Sequence, residues 1–324
     1  MNDKATKDKA IRAAIEAATW APSVHNTQPW TFAVSGEEIS LRADVERKLR
    51  VSDPSARELI VSCGAALLNL RVALRAEGYE PIVRVLPDPD RPSLLATVRP
   101  GQPVTPDETT RTLAGEVKRR RTHRAGFTDL PVPDRLIERL VREAAAEKAT
   151  LTPVRSEAAV DILAALTQAA QAVQVQDRAF SLELMRWARP PGSPRRDGVP
   201  AEAYPRGGWP GRFPQRDYAH GQDWGKPGDQ GMADSTGLVA VLTTPGDTRE
   251  SWLAAGQALE RVLLHASAYG VGAAFHTQAL EMYHLREFLR HELCSDQYPQ
   301  TIMRLGITFE DSRAVRRTPA EVLD

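Results

Sequence analysis

The apolar residues of this chain recur at two spacings, which separate predicted helices from predicted strands. From Arg57 to Gly78 and from Arg249 to Gly270, apolar side chains recur every three or four residues, the spacing of one helix face. The closing glycines suit the position after a helix, because a residue without a Cβ adopts the left-handed conformation most easily. Alternation from Trp30 to Val34 and from Ile39 to Leu41, around Ser35-Gly36, predicts a hairpin.

Four further short stretches have the composition of strands. They are Ile82 to Leu86, Leu94 to Val98, Gly237 to Leu242 and Ile302 to Ile307. Because long helices alternate with short strands, the pattern predicts an α+β fold with central antiparallel or mixed sheets flanked by helices.

The two long predicted helices carry the same residue at seven positions, at a constant offset of 192. The matched residues are Arg57, Glu58, Gly64, Ala66, Leu67, Ala76 and Gly78 in the first helix and Arg249, Glu250, Gly256, Ala258, Leu259, Ala268 and Gly270 in the second. A weaker echo relates Asp8, Ile11 and Ile15 to Asp134, Ile137 and Val141 at an offset of 126. The repeat predicts a duplication with an insertion of roughly 66 residues in the second copy. We therefore expect two tandem halves, residues 1–110 and 111–324, joined by a connection at about residues 100–118.

The inserted residues are expected mainly between Trp187 and Met232. This stretch is dense in proline and glycine, which disfavours regular structure. It also contains the aromatic residues Trp187, Tyr204, Trp209, Phe213, Tyr218 and Trp224. Disordered linkers are depleted in such residues, so the stretch is interpreted as an ordered, lid-like cover at about residues 187–232. The alternative is an exposed loop or a partner-binding patch.

Composition excludes several classes of function. Lys+Arg and Asp+Glu both number 42, so nothing in the net charge favours nucleic acid or an anionic membrane as a partner. No apolar run approaches the ~20 residues of a membrane span, and the polar N-terminus lacks a signal-peptide core, which predicts a cytoplasmic protein. Cys63 and Cys294 suggest neither a disulfide framework nor a metal site. His284 and His291 lack an accompanying motif, so no metal is expected.

Two segments carry the residues that point to chemistry. The first runs from Ala21 to Trp30 with the pattern Pro-Ser-x-x-Asn-x-Gln-Pro-Trp, and the second runs from Arg119 to Arg124 with the pattern Arg-Arg-Arg-Thr-His-Arg. Both resemble signature segments of the FMN-dependent nitroreductase family, and the chain is most similar to its Acg-like branch of single-chain members. In that family the two segments usually meet at one flavin from different subunits. The resemblance therefore implies two nitroreductase-like halves that form an intramolecular pseudo-dimer, so that a monomer suffices.

The resemblance also assigns roles to particular residues. Arg120, Thr122 and Arg124 match the phosphate clamp, and guanidinium groups suit a phosphate because they bind it in a bidentate manner. Pro22, Ser23 and Asn26 match the segment that reaches the ribityl chain and the ring. Gln278 and Ala279 match the place where the family's backbone passes flavin N5. In the C-terminal tail that begins at Arg313, either Arg316 or Arg317 completes the clamp, with Arg317 slightly favoured.

A pseudo-dimer with two complete sites would need both signature segments twice. The first half has no arginine clamp ahead of its first helix, and the second half reads Glu147 to Thr152 where a Pro-Ser-x-x-Asn segment would stand. Each half thus lacks the part that a second site would need. The expectation is one FMN per chain, at the interface of the halves.

The implied activity is ping-pong hydride transfer from NAD(P)H through FMN to a small-molecule acceptor of the nitroaromatic or quinone kind. The flavin supplies this chemistry, so no side chain is assigned a catalytic role. Two alternatives stay open: a protein that sequesters FMN beneath its lid, and an interaction module without flavin, which the intact clamp disfavours. No dinucleotide fingerprint, phosphate loop or serine-hydrolase elbow is present in the sequence.

Overall fold

The computed structural model describes residues 3–207, 211–226, 235–309 and 314–324. Trp209 and Met232 of the expected lid, and Arg313 of the tail, lie outside the described residues. The helices are α1 (Asp3–Thr19), α2 (Arg57–Ala76), α3 (Glu108–Glu116), α4 (Asp134–Ala146), α5 (Glu157–Gln174), α6 (Arg178–Trp187), α7 (Arg249–Ser267), α8 (Tyr283–Leu293) and α9 (Pro319–Val322). Short 3-10 helices occur at Val24–Asn26, Val45–Arg47, Ala201–Ala203 and Gln278–Glu281.

Two four-stranded sheets form the centre of the fold, and their strand orders correspond. The first contains β1 (Trp30–Ser35), β2 (Glu38–Ala43), β3 (Tyr79–Val85) and β4 (Leu94–Pro103) in the order β1-β2-β4-β3. The second contains β5 (Thr150–Val154), β8 (Leu238–Thr244), β9 (Val271–Phe275) and β10 (Tyr298–Ile307) in the order β5-β8-β10-β9. Every neighbouring pair in both sheets is antiparallel, so the predicted α+β class is confirmed and neither sheet is mixed.

Helices α2 and α7 cross at the centre of the molecule, at two glycines of the sequence repeat. A Cβ placed on Gly256 would overlap the carbonyl oxygen of Val61, and one placed on Gly64 would overlap that of Leu253. Val61 and Leu253 are themselves separated by the repeat offset of 192, so the two contacts are equivalent. Because only glycine allows the helices to approach so closely, the repeated glycine has a packing role.

The segment between β5 and β8 is much longer than the corresponding connection in the first sheet. Residues 155–237 separate β5 from β8, whereas Gly36 and Glu37 alone separate β1 from β2. The extra chain therefore begins well before Trp187 and includes α5, α6 and a parallel pair of short strands, β6 (Ala188–Arg189) and β7 (Val199–Pro200). The expectation that the extra chain lies mainly between residues 187 and 232 was too narrow. That expectation relied on proline and glycine content, and helices α5 and α6 contain neither residue. We call residues 155–237 the insertion.

The insertion is folded onto the rest of the molecule in its described parts. Its aromatic side chains Trp187, Tyr204, Phe213 and Tyr218 are all buried. Phe213 packs in one core cluster with α5 and β8, while Tyr204 and Tyr218 pack in another with α6. An exposed loop, the alternative left open by the sequence, does not describe these residues.

Helix α2 has the length and hydropathy of a membrane span, contrary to the sequence-based expectation. Of its most apolar stretch, 83% is buried inside the protein, as is common for the core helix of a soluble protein. Helices α5 and α6 pass the same test only when they are taken together, and they are bent by 100° with respect to each other.

Candidate functional site

A cavity with an empty volume of about 880 Å³, part of it open to solvent, lies where three parts of the chain meet. The first half contributes the loop before β1 and one face of α2. The second half contributes the arginine-rich segment before α4 and the ends of β9 and β10. The insertion contributes Gln215, Arg216 and Tyr218. The other lining residues include Pro22, Ser23, Val24, His25, Glu58, Ser62, Thr122, His123, Arg124, Phe275, Thr277, Gln300 and Thr301.

The loop before β1 has an unusual backbone in the segment that carries the Pro-Ser-x-x-Asn pattern. His25, Asn26 and Gln28 have φ of 46°, 54° and 50°, in the left-handed region that residues other than glycine rarely adopt. Such strain persists only where the surroundings fix it, and it concentrates at ligand sites. Gln28 provides much of the fixation, since its backbone N–H donates to Ser23 Oγ at 2.9 Å. Its side chain accepts from Arg317 N at 2.7 Å and donates to Arg196 O at 2.8 Å.

Asn26, expected at the ribityl chain, does not line the cavity. Its side-chain amide donates to Gly198 O at 2.8 Å and to Val315 O at 3.1 Å. Its Oδ1 accepts from Arg316 Nη1 at 2.9 Å. Asn26 therefore joins the loop to the insertion and to the C-terminal tail. Pro22 and Ser23 do line the cavity, as expected.

The insertion is anchored to the first half by charged groups around the same loop. Asp197 Oδ2 lies 3.0 Å from Arg47 Nη1. Burial opposes the charge of Asp197, but hydrogen bonds from Arg189, Arg195 and Arg47 hold its pKa at about 2, so it is ionised at neutral pH. The carboxylate of Glu183 accepts from the backbone N–H groups of residues 50–52. These contacts fix the position of the insertion above the loop.

The arginine-rich segment runs beside β9, and both contribute residues to the cavity wall. Thr122 forms a parallel bridge with Ala273, and His123 N donates to Ala273 O at 2.8 Å. Thr122 and Arg124 both line the cavity. The Arg124 guanidinium lies 6.0 Å from the centre of the Tyr218 ring, and burial lowers its pKa. Of the three predicted clamp residues in this segment, two therefore reach the cavity.

Arg120, the third predicted clamp residue, lies behind the cavity and is paired internally. Its Nε lies 3.3 Å from Glu260 Oε2, and both side chains are almost completely buried. Its Nη2 donates to Trp20 O at 3.1 Å. Burial raises the pKa of Glu260 to about 7, and the opposing influence of Arg120 is smaller. Arg120 is thus held in a fixed orientation by α7 and by the end of α1.

The tail places Arg316 and Arg317 in different environments. Arg316 Nη2 donates to Trp20 O at 3.3 Å, and burial followed by the charges of Arg120 and Arg121 lowers its pKa well below the ordinary value. Arg317 Nη1 instead donates to the backbone oxygens of Gln28 and Trp30 at 3.2 and 3.3 Å. Arg316 therefore joins the cluster of guanidinium groups, while Arg317 fastens the tail to β1. The slight preference for Arg317 is not supported by this placement.

Neither Arg124 nor Arg316 forms an ion pair with a carboxylate among the described residues, although the charge of Glu260 acts on Arg316 from a distance. The buried Nε of Arg316 also has no hydrogen-bond partner there. Burial lowers the pKa of both arginines, and like-charge repulsion from Arg120 lowers it further in each case. Several guanidinium groups with one carboxylate between them leave an excess of positive charge, which suits a doubly charged anion.

Gln278 and Ala279 lie beside the cavity rather than on its surface. The Gln278 amide donates to Gln171 Oε1 at 3.0 Å, and Ala279 is fully buried. Both belong to the first turn of the 3-10 helix Gln278–Glu281, where backbone N–H groups have no partner within the helix. Thr277, immediately before them, does line the cavity.

The cavity residues that sequence reasoning missed include His25, Glu58, Arg216 and Tyr218. His25 Nδ1 lies 2.9 Å from Tyr218 Oη, and burial followed by the charge of Arg216 lowers its pKa well below the ordinary value, which keeps the ring neutral. Tyr218 was noted only as an aromatic residue of the insertion, and Glu58 only as part of the repeat. Among the described residues, no group of three or more His, Cys, Asp or Glu side chains is arranged to hold a metal ion.

Comparison with known proteins places this geometry in a family. The sequence model of the Nitroreductase family matches residues 117–307. The Mycobacterium tuberculosis protein "Putative NAD(P)H nitroreductase Rv3131" is 35% identical over 307 residues, which cover 94% of this chain and 87% of the relative. Another protein of that organism, "Putative NAD(P)H nitroreductase acg", is 29% identical over 335 residues, covering 100% of this chain and 97% of the relative.

Among solved structures, the FMN complex of a nitroreductase from Desulfovibrio desulfuricans aligns with 68% of this chain and 96% of its own, at 13% identity and a TM-score of 0.38. The family match covers more than half of the described chain, and the sequence similarity to the relatives extends over nearly all of it. The chain therefore belongs to the nitroreductase family.

Proposed function

We propose that this protein is a flavoprotein oxidoreductase that binds one FMN per chain in the cavity between its two halves. NAD(P)H is the reductant, and a small nitroaromatic or quinone-like molecule is the acceptor. The observation that carries the proposal is a pair of neighbouring arginines: Arg124, which lines the cavity, and Arg316, whose pKa is lowered in part by the charge of Arg124. Neither forms an ion pair with a carboxylate in the described part of the chain. The names of the relatives, NAD(P)H nitroreductases, support the same reaction class.

The residues present fit the phosphate of FMN. Arg124 and Arg316 supply guanidinium donors, including the buried and unpaired Nε of Arg316, and Thr122 supplies a hydroxyl from the adjacent strand-like segment. Arg120 contributes positive charge from behind, with Glu260 as its counter-ion. A dianion placed among these groups would neutralise charge that the described protein leaves uncompensated.

The length of the cavity also suits a molecule with a phosphate at one end and a ring at the other. Glu58, Ser62 and Ala65 line it along one face of α2, and Asn69 continues that face towards Glu260. Asn69 is eleven positions after Glu58, roughly 16 Å along the helix, and the lining residues Glu58 to Ala65 cover roughly 10 Å of that length. The ring of FMN would then lie near Glu58, Thr277 and Gln300, and the bound flavin would supply the hydride chemistry.

We propose further that the halves form an intramolecular pseudo-dimer with a single site. The corresponding strand orders and the equivalent glycine contacts of α2 and α7 support this. In the second half, α4 and β5 are joined by Glu147, Lys148 and Ala149 alone, so no loop like residues 20–29 is available there for a second flavin. The pairing of the halves also removes the need for a second subunit, and we expect a monomer.

Sequestration of FMN is the second candidate function, and the position of the insertion favours it. Arg216 and Tyr218 form part of the cavity wall. The hydrogen bond between Tyr218 and His25 joins the insertion to the first half at this wall. As a lid, this part of the insertion would exclude a nicotinamide from the flavin ring. The described part of the insertion contributes core residues such as Phe213, so point variants test this better than deletion.

The test is anaerobic mixing of the FMN-loaded protein with NADH or NADPH, with flavin absorbance as the readout. Bleaching of the wild-type flavin supports the oxidoreductase. Bleaching only in a Tyr218→Ala variant identifies a lid that restricts access. If neither protein is bleached by either nucleotide while FMN stays bound, the oxidoreductase proposal is wrong and sequestration gains.

A further inference from the structure

Glu58 is a buried carboxyl group on the cavity wall, at the end away from the arginine cluster. It stands in the first turn of α2, and its residue is only 6% exposed. Glu250 occupies the same position of the repeat on α7 and is exposed to solvent. The two glutamates share their place in the sequence pattern but not their surroundings.

The hydrogen bonds of Glu58 engage one of its two carboxyl oxygens. Oε1 lies 2.8 Å from Arg57 Nη2, whereas Oε2 has no hydrogen bond to the described residues. Arg57 itself is also engaged elsewhere, since its Nη1 donates to Gln300 O at 2.8 Å. One oxygen of Glu58 is therefore left to face the cavity, where an acceptor molecule would lie.

The charged groups around Glu58 come from three other parts of the chain. Asp53 precedes α2, Glu281 follows β9, and Arg216 belongs to the insertion. Arg216 is paired with Glu281, and Asp53 accepts from Leu59 N at 2.9 Å. Arg57 is therefore the charged group that forms an ion pair with Glu58 among these neighbours. Burial, followed by the charge of Glu281, raises the pKa of Glu58 to about 8. The N-terminal end of α2 favours an anion, but desolvation opposes the charge more strongly.

We propose that Glu58, as a neutral carboxylic acid, donates the proton that accompanies two-electron reduction of the acceptor in this cavity. The inference rests on the proposed oxidoreductase function and concerns acceptors that take up a hydride and a proton, of which a quinone is the simplest case. In the balanced step a quinone receives a hydride, which brings two electrons, and the Glu58 proton, and leaves as hydroquinone. The hydride originates from the dihydronicotinamide, and the Glu58 carboxylate regains its proton from water.

The protonation state can be measured without any flavin. Infrared difference spectra at pH 7 compare the wild-type protein with a Glu58→Gln variant and with the matched Glu250→Gln control. We expect the carboxylic-acid C=O band to be weaker in Glu58→Gln and unchanged in Glu250→Gln. Subtraction removes the bands of other buried acids such as Glu260. Identical bands in the wild type and Glu58→Gln would mean that Glu58 is ionised, which would overturn the proposal.

The proton transfer itself is tested by the choice of oxidant. FMN-loaded protein, reduced with dithionite so that nicotinamide binding does not matter, is mixed with benzoquinone or with ferricyanide, which accepts an electron and no proton. We expect Glu58→Gln to slow reduction of benzoquinone about 100-fold or more, and to leave the ferricyanide rate unchanged. The wild-type benzoquinone rate should fall above about pH 8, and the variant should lose this dependence. Glu58→Asp, which keeps a carboxyl group, should recover part of the rate.

The outcomes separate this inference from the proposed function. A wild-type protein that retains no FMN contradicts the proposed function, and the proton-donor role of Glu58, which requires reduction of an acceptor, is then wrong as well. A wild-type protein that reduces benzoquinone no faster than Glu58→Gln contradicts the proton-donor role alone. Equal slowing with benzoquinone and ferricyanide would show a structural role for Glu58 and would equally overturn the inference.

Discussion

The two halves of this protein share a framework and differ in what is attached to it. Both contain a four-stranded antiparallel sheet of the same order and a long helix that crosses its counterpart at a glycine. The first half carries the strained loop at residues 20–29, where the second has a three-residue turn. The second half carries the insertion, where the first has a tight hairpin. The site depends on these attachments, and the framework only brings them together.

The arginines of two cavities differ in a similar way. A second cavity is lined by Arg71 and Arg75 on α2 and by Arg261 on α7. Each is paired: Arg71 with Glu147, Arg75 with Glu80, and Arg261 with Glu143 and Glu147. Arg124 and Arg316 have no such partners among the described residues. The difference teaches that unpaired charge, more than the number of arginines, distinguishes a candidate anion site.

The largest effect is expected from removing the unpaired charges. The double variant Arg124→Ala/Arg316→Ala should weaken FMN binding by about 100-fold or more, because a charged hydrogen bond contributes about 1.5–3 kcal/mol. Titration of FMN fluorescence measures the dissociation constant. Arg75→Ala, in the second cavity, is the matched control and should bind FMN as the wild type does. Equal loss in the control would remove the distinction between the two cavities.

The shared framework is tested at the helix crossing. Gly256→Val should lower the free energy of unfolding by about 3 kcal/mol, because the side chain would overlap Val61 on α2. Gly115→Ala on α3 meets open space and should instead raise stability by about 0.5–1 kcal/mol. Chemical denaturation followed by circular dichroism measures both. A tolerated valine at position 256 would mean that the crossing is not close-packed.

The two glutamates at equivalent positions of the repeat serve as test and control for the pH dependence of stability. Glu58 has a pKa of about 8 in the folded protein against an ordinary value of 4.5, so the native state holds an extra proton between these values. Its contribution to stability is therefore lost as the pH rises from about 4.5 to about 8. The Tm of the wild type should fall by at least about 2 °C relative to Glu58→Gln across this range. Glu250→Gln, which removes an exposed carboxyl group, is the control, and the same trend there would refute the assignment.

The smallest effect concerns one cysteine from each half. Cys63 is fully buried on α2, and its thiol pKa is raised by burial, whereas the half-buried Cys294 follows α8 with a pKa raised to about 11. Because the thiolate is the reactive form, Cys63 should be labelled by a thiol reagent only after unfolding. Cys294 should react slowly in the native protein. Mass spectrometry after timed labelling locates each modification, and rapid labelling of Cys63 would contradict the core packing of α2.

The sequence predicted the framework because local patterns encode it. Apolar spacing located α2 and α7, and alternation located the hairpin of β1 and β2. The roles of Asn26, Gln28, Arg316 and Arg317 were not separable in this way. Each depends on where the tail and the insertion cross the loop, through contacts more than 160 residues apart in the chain. No local pattern encodes such contacts.

Glu58 and Arg120 show that burial and ion pairing also cannot be predicted from local sequence patterns. The repeat made Glu58 and Glu250 equivalent, and only the surrounding cavity makes one of them buried. The arginine-rich pattern made Arg120 and Arg124 equivalent, and only Glu260 on α7 separates them. A carboxylate 140 residues away in the chain decides which arginine is left unpaired. The surroundings of a side chain in the folded protein therefore decide which of two residues with equivalent sequence positions belongs to the candidate site, and a sequence pattern does not contain that information.

The most direct test of the single-site pseudo-dimer is native mass spectrometry of the protein after incubation with excess FMN. The account predicts one chain carrying one FMN, with the flavin lost in Arg124→Ala/Arg316→Ala. Two FMN per chain would contradict the single site, and FMN bound only by a dimer of chains would contradict the pairing of the halves within one chain.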